Sequence, residues 1–485
     1  MLRPMPDRDP ESVTTDGQSV AAPPSVDRAP SFVGLLDRRV GTVGCAIAWG
    51  LASLVFVLMV VVQYGPTTHD AIEWDTPAWT VAHGQPRCSY AFRFQTEPPP
   101  VFPLVVAGAE AAVHGMDVRL FAEQPVRATD CRQAFIDLSA PPALHDAATL
   151  GFLGWVVLLA GFVAALRAVG RGRSGWEVAG VIVLALLPPV VAALNVSIHP
   201  EDLMALGLLL AATARSAHRR DVVAGVLLGL AVATQQFALL AAVPIVVLAD
   251  WRDRGRLVLG AVGAAVVVSV PFLATGASGM VHALAGGSAT QPGGPTPTLI
   301  ARLPLEGTAL VAVSRFVPLA LAAVLAGWWR RRGGASTWEP VALMALVAAS
   351  LDLRLAFEVN LFLWYFASVS VTLLVLAASL GGRRRWWLLA WGGWNVVVAA
   401  CYGGGTWGVG TVSSGLVIQV VVVGWAMALA VVPLAERVRR DGRTDGAPVP
   451  TEGHHHRFDA LVDGEPHRAV VGTDSHGVRP YAPPW

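Results

Sequence analysis

Three carboxylates, Asp70, Glu73 and Asp75, fall within six residues directly after an apolar run, and a second acidic group, His199-Pro200-Glu201-Asp202, opens a later one. A carboxylate at the border of an apolar phase can take a proton from a hydroxyl or accept a hydrogen bond from one. If 70–75 is helical, Asp70 and Glu73 share a face and Asp75 points elsewhere; each could equally be a solvated cap. The bland account of 199–202 is Pro200 in a first helical turn, with Glu201 and Asp202 complementing the helix dipole. The alternative is a group that orients a ligand. Basic counterparts stand at Arg302, Arg315 and Arg354, the last beside Asp352 and Glu358. Arg315 lies well inside an apolar segment, where a charge is costly unless paired, so it should have an anionic partner. A protein carboxylate or a lipid phosphate would fit its planar fork. Arg354 sits among carboxylates, which points to an internal salt bridge. Gln235 and Gln236 fall at a turn between two short apolar stretches, where their amides line a cavity or satisfy the turn.

The elements that must position these residues are membrane helices. Of 485 residues, 54% are hydrophobic and 14% charged, against about 25% charged in a soluble domain. A mean hydropathy of +0.55 requires lipid as the solvent for much of the surface. All 35 basic residues are arginine, and with 34 acids the formal charge is +1; net charge indicates no partner, and lysine chemistry is excluded. Apolar stretches cover roughly 41–62, 149–168, 176–194, 202–217, 221–235, 236–249, 257–275, 307–329, 337–351, 359–380, 386–402 and 411–433. They predict an all-α polytopic membrane protein with about 10–12 transmembrane helices, the lower figure applying if 221–249 is a hairpin too short for a ~20-residue crossing.

Arginine clusters around residues 167–173, 215–220, 252–256, 330–332, 383–385 and 437–440 lie between alternate spans. By the positive-inside rule they are cytoplasmic, with both termini. The expected organisation is a polar tail over 1–37, a membrane domain over 38–440 and a second tail over 441–485. The membrane domain has a long first outer loop (64–147), with an interfacial helix over 99–114, and a second outer loop (276–306). The candidate acids and bases named above then gather at the outer border. Cys88 and Cys131 share the first outer loop, where an oxidising compartment permits a disulfide, whereas Cys45 and Cys401 lie in apolar spans. No phosphate-binding glycine loop, dinucleotide fingerprint, HExxH or CxxC pair occurs. Nothing therefore points to a nucleotide, a cofactor, a metal or a nucleic acid, and the His454–His456 run reads as solvated coil.

Several stretches carry a family resemblance. Asp75-Thr-Pro-Ala-Trp79, His83-Gly84-Gln85-Pro86 and Glu97-Pro98-Pro99-Pro100-Val-Phe102 follow one another in the first outer loop. Later come His199-Pro200-Glu201-Asp202, then Gly225 through Thr234-Gln235-Gln236-Phe237, and Arg354-Leu-Ala-Phe-Glu358 through Trp364-Tyr365. Over roughly 40–380 the chain resembles the GT-C class of membrane glycosyltransferases. The likeness is closer to the bacterial polyprenol-phosphate-mannose-dependent mannosyltransferases and their actinobacterial relatives. Glu97 stands where that family has an aromatic, and Gln235 where a lysine is common.

The resemblance implies an enzyme of the inner (plasma) membrane that moves mannose or arabinose from a polyprenyl-phosphate donor to an envelope glycolipid or polysaccharide at the outer face. It further implies a single inverting displacement without metal or cofactor. Asp75 would be the base and Asp70 and Glu73 its helpers or alternates. Arg302 and Arg315 would hold the donor phosphate. His199, Glu201, Asp202, Gln235, Gln236, Arg354 and Glu358 would bind or orient the substrate. The rival readings are a transporter or flippase of a lipid-linked or small polar substrate, which would concentrate charges at the bilayer midplane, and a non-catalytic scaffold.

Overall fold

A computed structural model of the chain describes residues 32–63, 81, 90, 99–114, 144–195, 199–286, 298–305, 307–332, 339–359, 361–380, 384–402 and 416–444. Among them lie fifteen α-helices: α1 (Phe32–Leu36), α2 (Gly41–Gln63), α3 (Val101–His114), α4 (Leu144–Ala168), α5 (Gly175–Leu186), α6 (Pro188–Asn195), α7 (Pro200–Ala217), α8 (Asp221–Thr234), α9 (Ala238–Leu248), α10 (Trp251–Gly286), α11 (Gly307–Arg332), α12 (Pro340–Phe357), α13 (Phe366–Ser379), α14 (Arg384–Tyr402) and α15 (Leu416–Thr444). The protein is an all-α polytopic membrane protein. It forms one unit up to Glu436 and a second from Arg437, of which only the helical stretch ending at Thr444 is described.

Each apolar stretch read from the sequence forms a helix, the one at 176–194 as the pair α5 and α6. Leu187, which precedes Pro188, is extended, as the residue before a proline must be, and the pair bends there by 54°. Five described helices are long and apolar enough to cross a membrane, or six with this bent pair. The remaining stretches form shorter or more polar helices, which the expectation of about 10–12 spans counted as crossings. Two boundaries differ from expectation. Phe32–Leu36 is helical within the expected N-terminal tail, and Asp37 pairs with Arg171 at 2.7 Å. Helix α10 runs on to Gly286, through the first part of the stretch read as an outer loop from residue 276; its 36 residues span about 54 Å.

Glycines set the closest helix contacts. A Cβ on Gly154 would lie 2.7 Å from the Pro200 carbonyl oxygen, and one on Gly161 would overlap the backbone of Gly207. Residues 154 and 161 therefore meet residues 200 and 207 in the same order, so α4 and α7 run parallel. Gly225 and Gly229, four apart on α8, likewise meet Leu257 and Ala261 on α10, a parallel small-residue crossing of the kind that lets membrane helices approach backbone to backbone. Both pairs agree with the alternating orientation read from the arginines. Because its first turn is pressed against Gly154, α7 begins inside the bundle. Gly161→Ala must push two backbones apart, and is expected to cost about 1–3 kcal/mol, visible as a lowered melting temperature in detergent.

Candidate functional site

The candidate residues of four elements converge at the end of the bundle opposite the arginine clusters. These elements are the first turn of α7, the last turn of α12 with the short 3-10 turn Leu363–Tyr365, the α8–α9 turn, and the 3-10 turn Ile300–Arg302 that precedes α11.

His199, Glu201 and Asp202 are all buried, at 8%, 3% and 5% exposure. Pro200 occupies the start of α7, and both acids stand in its first turn, as the dipole argument required. Burial makes the solvated-cap account insufficient, since a cap that only complements the dipole remains in water. His199 Nδ1 and Glu201 Oε1 are 2.6 Å apart. Among the described residues, Glu201 Oε2 and Asp202 Oδ1 have no hydrogen-bond partner. An unmet buried acceptor costs about 1–3 kcal/mol, so two of them at one helix entrance mark a place where a ligand or water belongs.

Arg354 and Glu358 face this turn from α12. The guanidinium Nε lies 3.2 Å from Glu358 Oε2, and both side chains are nearly fully buried. The cation also lies over two rings, 4.8 Å from Phe237 and 4.2 Å from Tyr365, contacts worth about 0.5–2 kcal/mol each. Asp202 is within electrostatic range of Arg354. Glu358, Arg354, Asp202 and Arg315 all act electrostatically on Tyr365. Asp352, two residues before Arg354, projects from another side of the helix. It is fully buried, and among the described residues neither oxygen has a hydrogen-bond partner. It does not join the cluster.

An aromatic stack forms the wall. Trp364 stacks on His199 at 4.7 Å and on Phe362 at 4.5 Å, with interplanar angles of 20° and 18°. Two near-parallel rings this close occupy its two faces, so the indole is fixed, and among the described residues its Nε1–H has no acceptor. The run Phe362-Leu363-Trp364-Tyr365-Phe366 was the available sequence signal for this wall, but an aromatic run at the start of a span also reads as an interfacial belt.

The other expected residues are placed less centrally. Gln235 Oε1 accepts the Gln236 backbone N–H at 3.0 Å, so this amide satisfies its own turn, and Phe237 carries the turn's contact with the site. Arg302 is exposed. Its turn is anchored by Thr298, whose hydroxyl donates to the Val359 carbonyl at 3.0 Å, and by Gln419. The Gln419 side chain bridges Leu299 N–H (2.9 Å) and the Leu355 carbonyl (3.3 Å). Sequence reasoning missed Gln419, which lies far along the chain. Arg315 is half-buried and has no hydrogen-bond or ion-pair partner among the described residues. Asp70, Glu73, Asp75, Cys88 and Cys131 lie outside the described residues. Among the described residues no three His, Cys, Asp or Glu side chains are grouped so as to hold a metal ion.

The arrangement separates two chemistries. Glu201, Asp202 and Glu358 outnumber Arg354 and His199, and their oxygens can accept hydrogen bonds from hydroxyls. Arg315 and Arg302, which have no ion-pair partner among the described residues, are cations suited to an anion. Residues 135–353 match the family model described as Glycosyltransferase family 87. That match contains α4 through most of α12, including His199, Glu201 and Asp202, and with the apolar helices it supports a membrane glycosyltransferase of the GT-C type. No curated protein and no solved structure matches the chain.

Proposed function

We propose that the protein moves a sugar, mannose or arabinose, from a polyprenyl-phosphate donor to an envelope glycolipid or polysaccharide acceptor at the outer face of the plasma membrane, with both termini in the cytoplasm. The observation that carries this reading is an acidic, aromatic-walled group set apart from two arginines, Arg302 and Arg315, that have no ion-pair partner among the described residues. A sugar phosphate has that same polarity: an uncharged ring rich in hydroxyls joined to an anion. Glu201 and Asp202 receive ring hydroxyls, the Trp364 stack holds the wall, and Arg315 with Arg302 holds the phosphate as it departs. Asp75 takes the proton of the acceptor hydroxyl, Asp70 and Glu73 being its helpers. The sugar carbon loses its bond to the phosphate oxygen as it gains one to the acceptor oxygen, and polyprenyl phosphate leaves.

The test is transfer of radiolabelled mannose or arabinose from its polyprenyl phosphate to envelope glycolipid by the purified protein. Asp202→Asn is expected to lower transfer by about 10- to 100-fold, the loss of one or two hydrogen bonds to a charged acceptor. The melting temperature should be unchanged or raised, because a buried acceptor with an unmet oxygen is replaced. Undiminished transfer by a correctly folded Asp202→Asn protein would remove this residue from the site.

A further inference from the structure

The opposite end of the bundle holds a second grouping that sugar transfer does not use. Helix α9 is short, and its last carbonyls have no partner within the helix. Two arginines from other helices meet them. Arg254, at the start of α10, donates from Nε to the Val246 carbonyl at 3.0 Å and from Nη2 to those of Val247 (3.0 Å) and Ala249 (3.1 Å). Arg330, at the end of α11, donates from Nη1 to Val247 and, at 3.1 Å, to Ala249. Sharing two carbonyls places the guanidiniums side by side. The helix end offsets only about half a charge, and among the described residues neither arginine has a carboxylate partner. Arg330 acts electrostatically on Arg254. The nearby acids are otherwise engaged, Asp250 with Arg219 at 3.1 Å and Asp253 with Arg256 at 4.0 Å.

Arg254 Nη1 and Arg330 Nε and Nη2 remain without acceptors among the described residues. We propose that this pair holds the phosphate of an anionic phospholipid in the leaflet at the arginine-rich end. A doubled planar fork suits a phosphate's oxygens. The surroundings favour a lipid over a free ion. Trp251 is 80% exposed and Trp328 is partly exposed with the Arg332 guanidinium 5.2 Å above its ring, as at a membrane–water boundary. Beyond the pair, Leu259 and Val262 on α10 and Leu321 and Val324 on α11 are exposed, giving acyl chains an apolar surface beside the headgroup. Basic recesses between membrane helices are suited to such headgroups.

The experiment is lipid retention, read by native mass spectrometry of the full chain released from nanodiscs of equal phosphatidylglycerol and phosphatidylcholine. Wild type is expected to retain phosphatidylglycerol preferentially. Arg254→Gln and Arg330→Gln should each lower that preference about tenfold, the weight of one charge-assisted hydrogen bond. Arg219→Gln and Arg256→Gln, whose charges are already paired, should leave it unchanged. Because Arg254 and Arg330 also cap α9, Arg330→Lys, which keeps the charge without the fork, is expected to give an intermediate preference in a protein that melts near wild type. Equal retention of the two lipids by wild type overturns the proposal. So does loss of preference in the paired-arginine controls, or displacement of the lipid by millimolar inorganic phosphate.

Discussion

Asp75→Asn is expected to reduce sugar transfer by about 10²- to 10⁴-fold, the range for removal of a positioned general base. A hydroxyl acceptor is a poor nucleophile until a carboxylate relieves it of its proton, and an amide of the same shape cannot do so. Donor affinity should change little, because the arginines proposed to hold the phosphate and the carboxylates proposed to bind the sugar are untouched; the loss should therefore appear in kcat with KM nearly constant. Asp70→Asn and Glu73→Gln, as helpers, are expected to lose less. Kinetics of the three variants, each shown to retain wild-type thermal stability, would check the ranking. Full activity in Asp75→Asn would transfer the role of base to another acid.

Arg354→Ala is expected to have the largest effect on stability, about 3–5 kcal/mol, because it strands Glu358 as a buried unpaired charge. It also removes the cation between the rings of Phe237 and Tyr365. The paired replacement Arg354→Met with Glu358→Leu should recover most of that loss, since well-packed apolar groups replace a buried ion pair at small cost. It should not recover transfer, because the electrostatic balance around Asp202 and Tyr365 is lost. A double-mutant cycle on unfolding measures the coupling directly. Additive effects of Arg354→Ala and Glu358→Gln would show that the pair is not coupled as its 3.2 Å geometry requires.

The helices were legible because a bilayer leaves no other way to satisfy the backbone, so each long apolar run had to become one. Their alternating direction was legible from the arginines, and it placed His199 and Glu358 at one end of the bundle before any contact was known. What the sequence did not disclose depends on close approach between distant segments. Gly154 admits the Pro200 carbonyl, a contact that sets the first turn of α7, with Glu201 and Asp202, inside the bundle. Trp364 is fixed by His199 and Phe362 on its two faces, and Gln419 ties the Arg302 turn to the end of α12; neither relation has a local signature. The extension of α10 to Gly286 was hidden because 276–306 as a whole is rich in glycine, proline and threonine, a composition that resembles a loop. The first acidic group, Asp70 to Asp75, rests on its residues and their spacing alone.

The most direct measurement is release of polyprenyl phosphate from polyprenyl-phosphate mannose and polyprenyl-phosphate arabinose by the purified wild-type protein in nanodiscs, with a membrane extract supplying acceptors. Release that requires the extract, occurs from at least one of these donors, and does not occur from a nucleotide sugar is the predicted result. No release from either donor, in a folded protein with acceptors present, would contradict the proposed function.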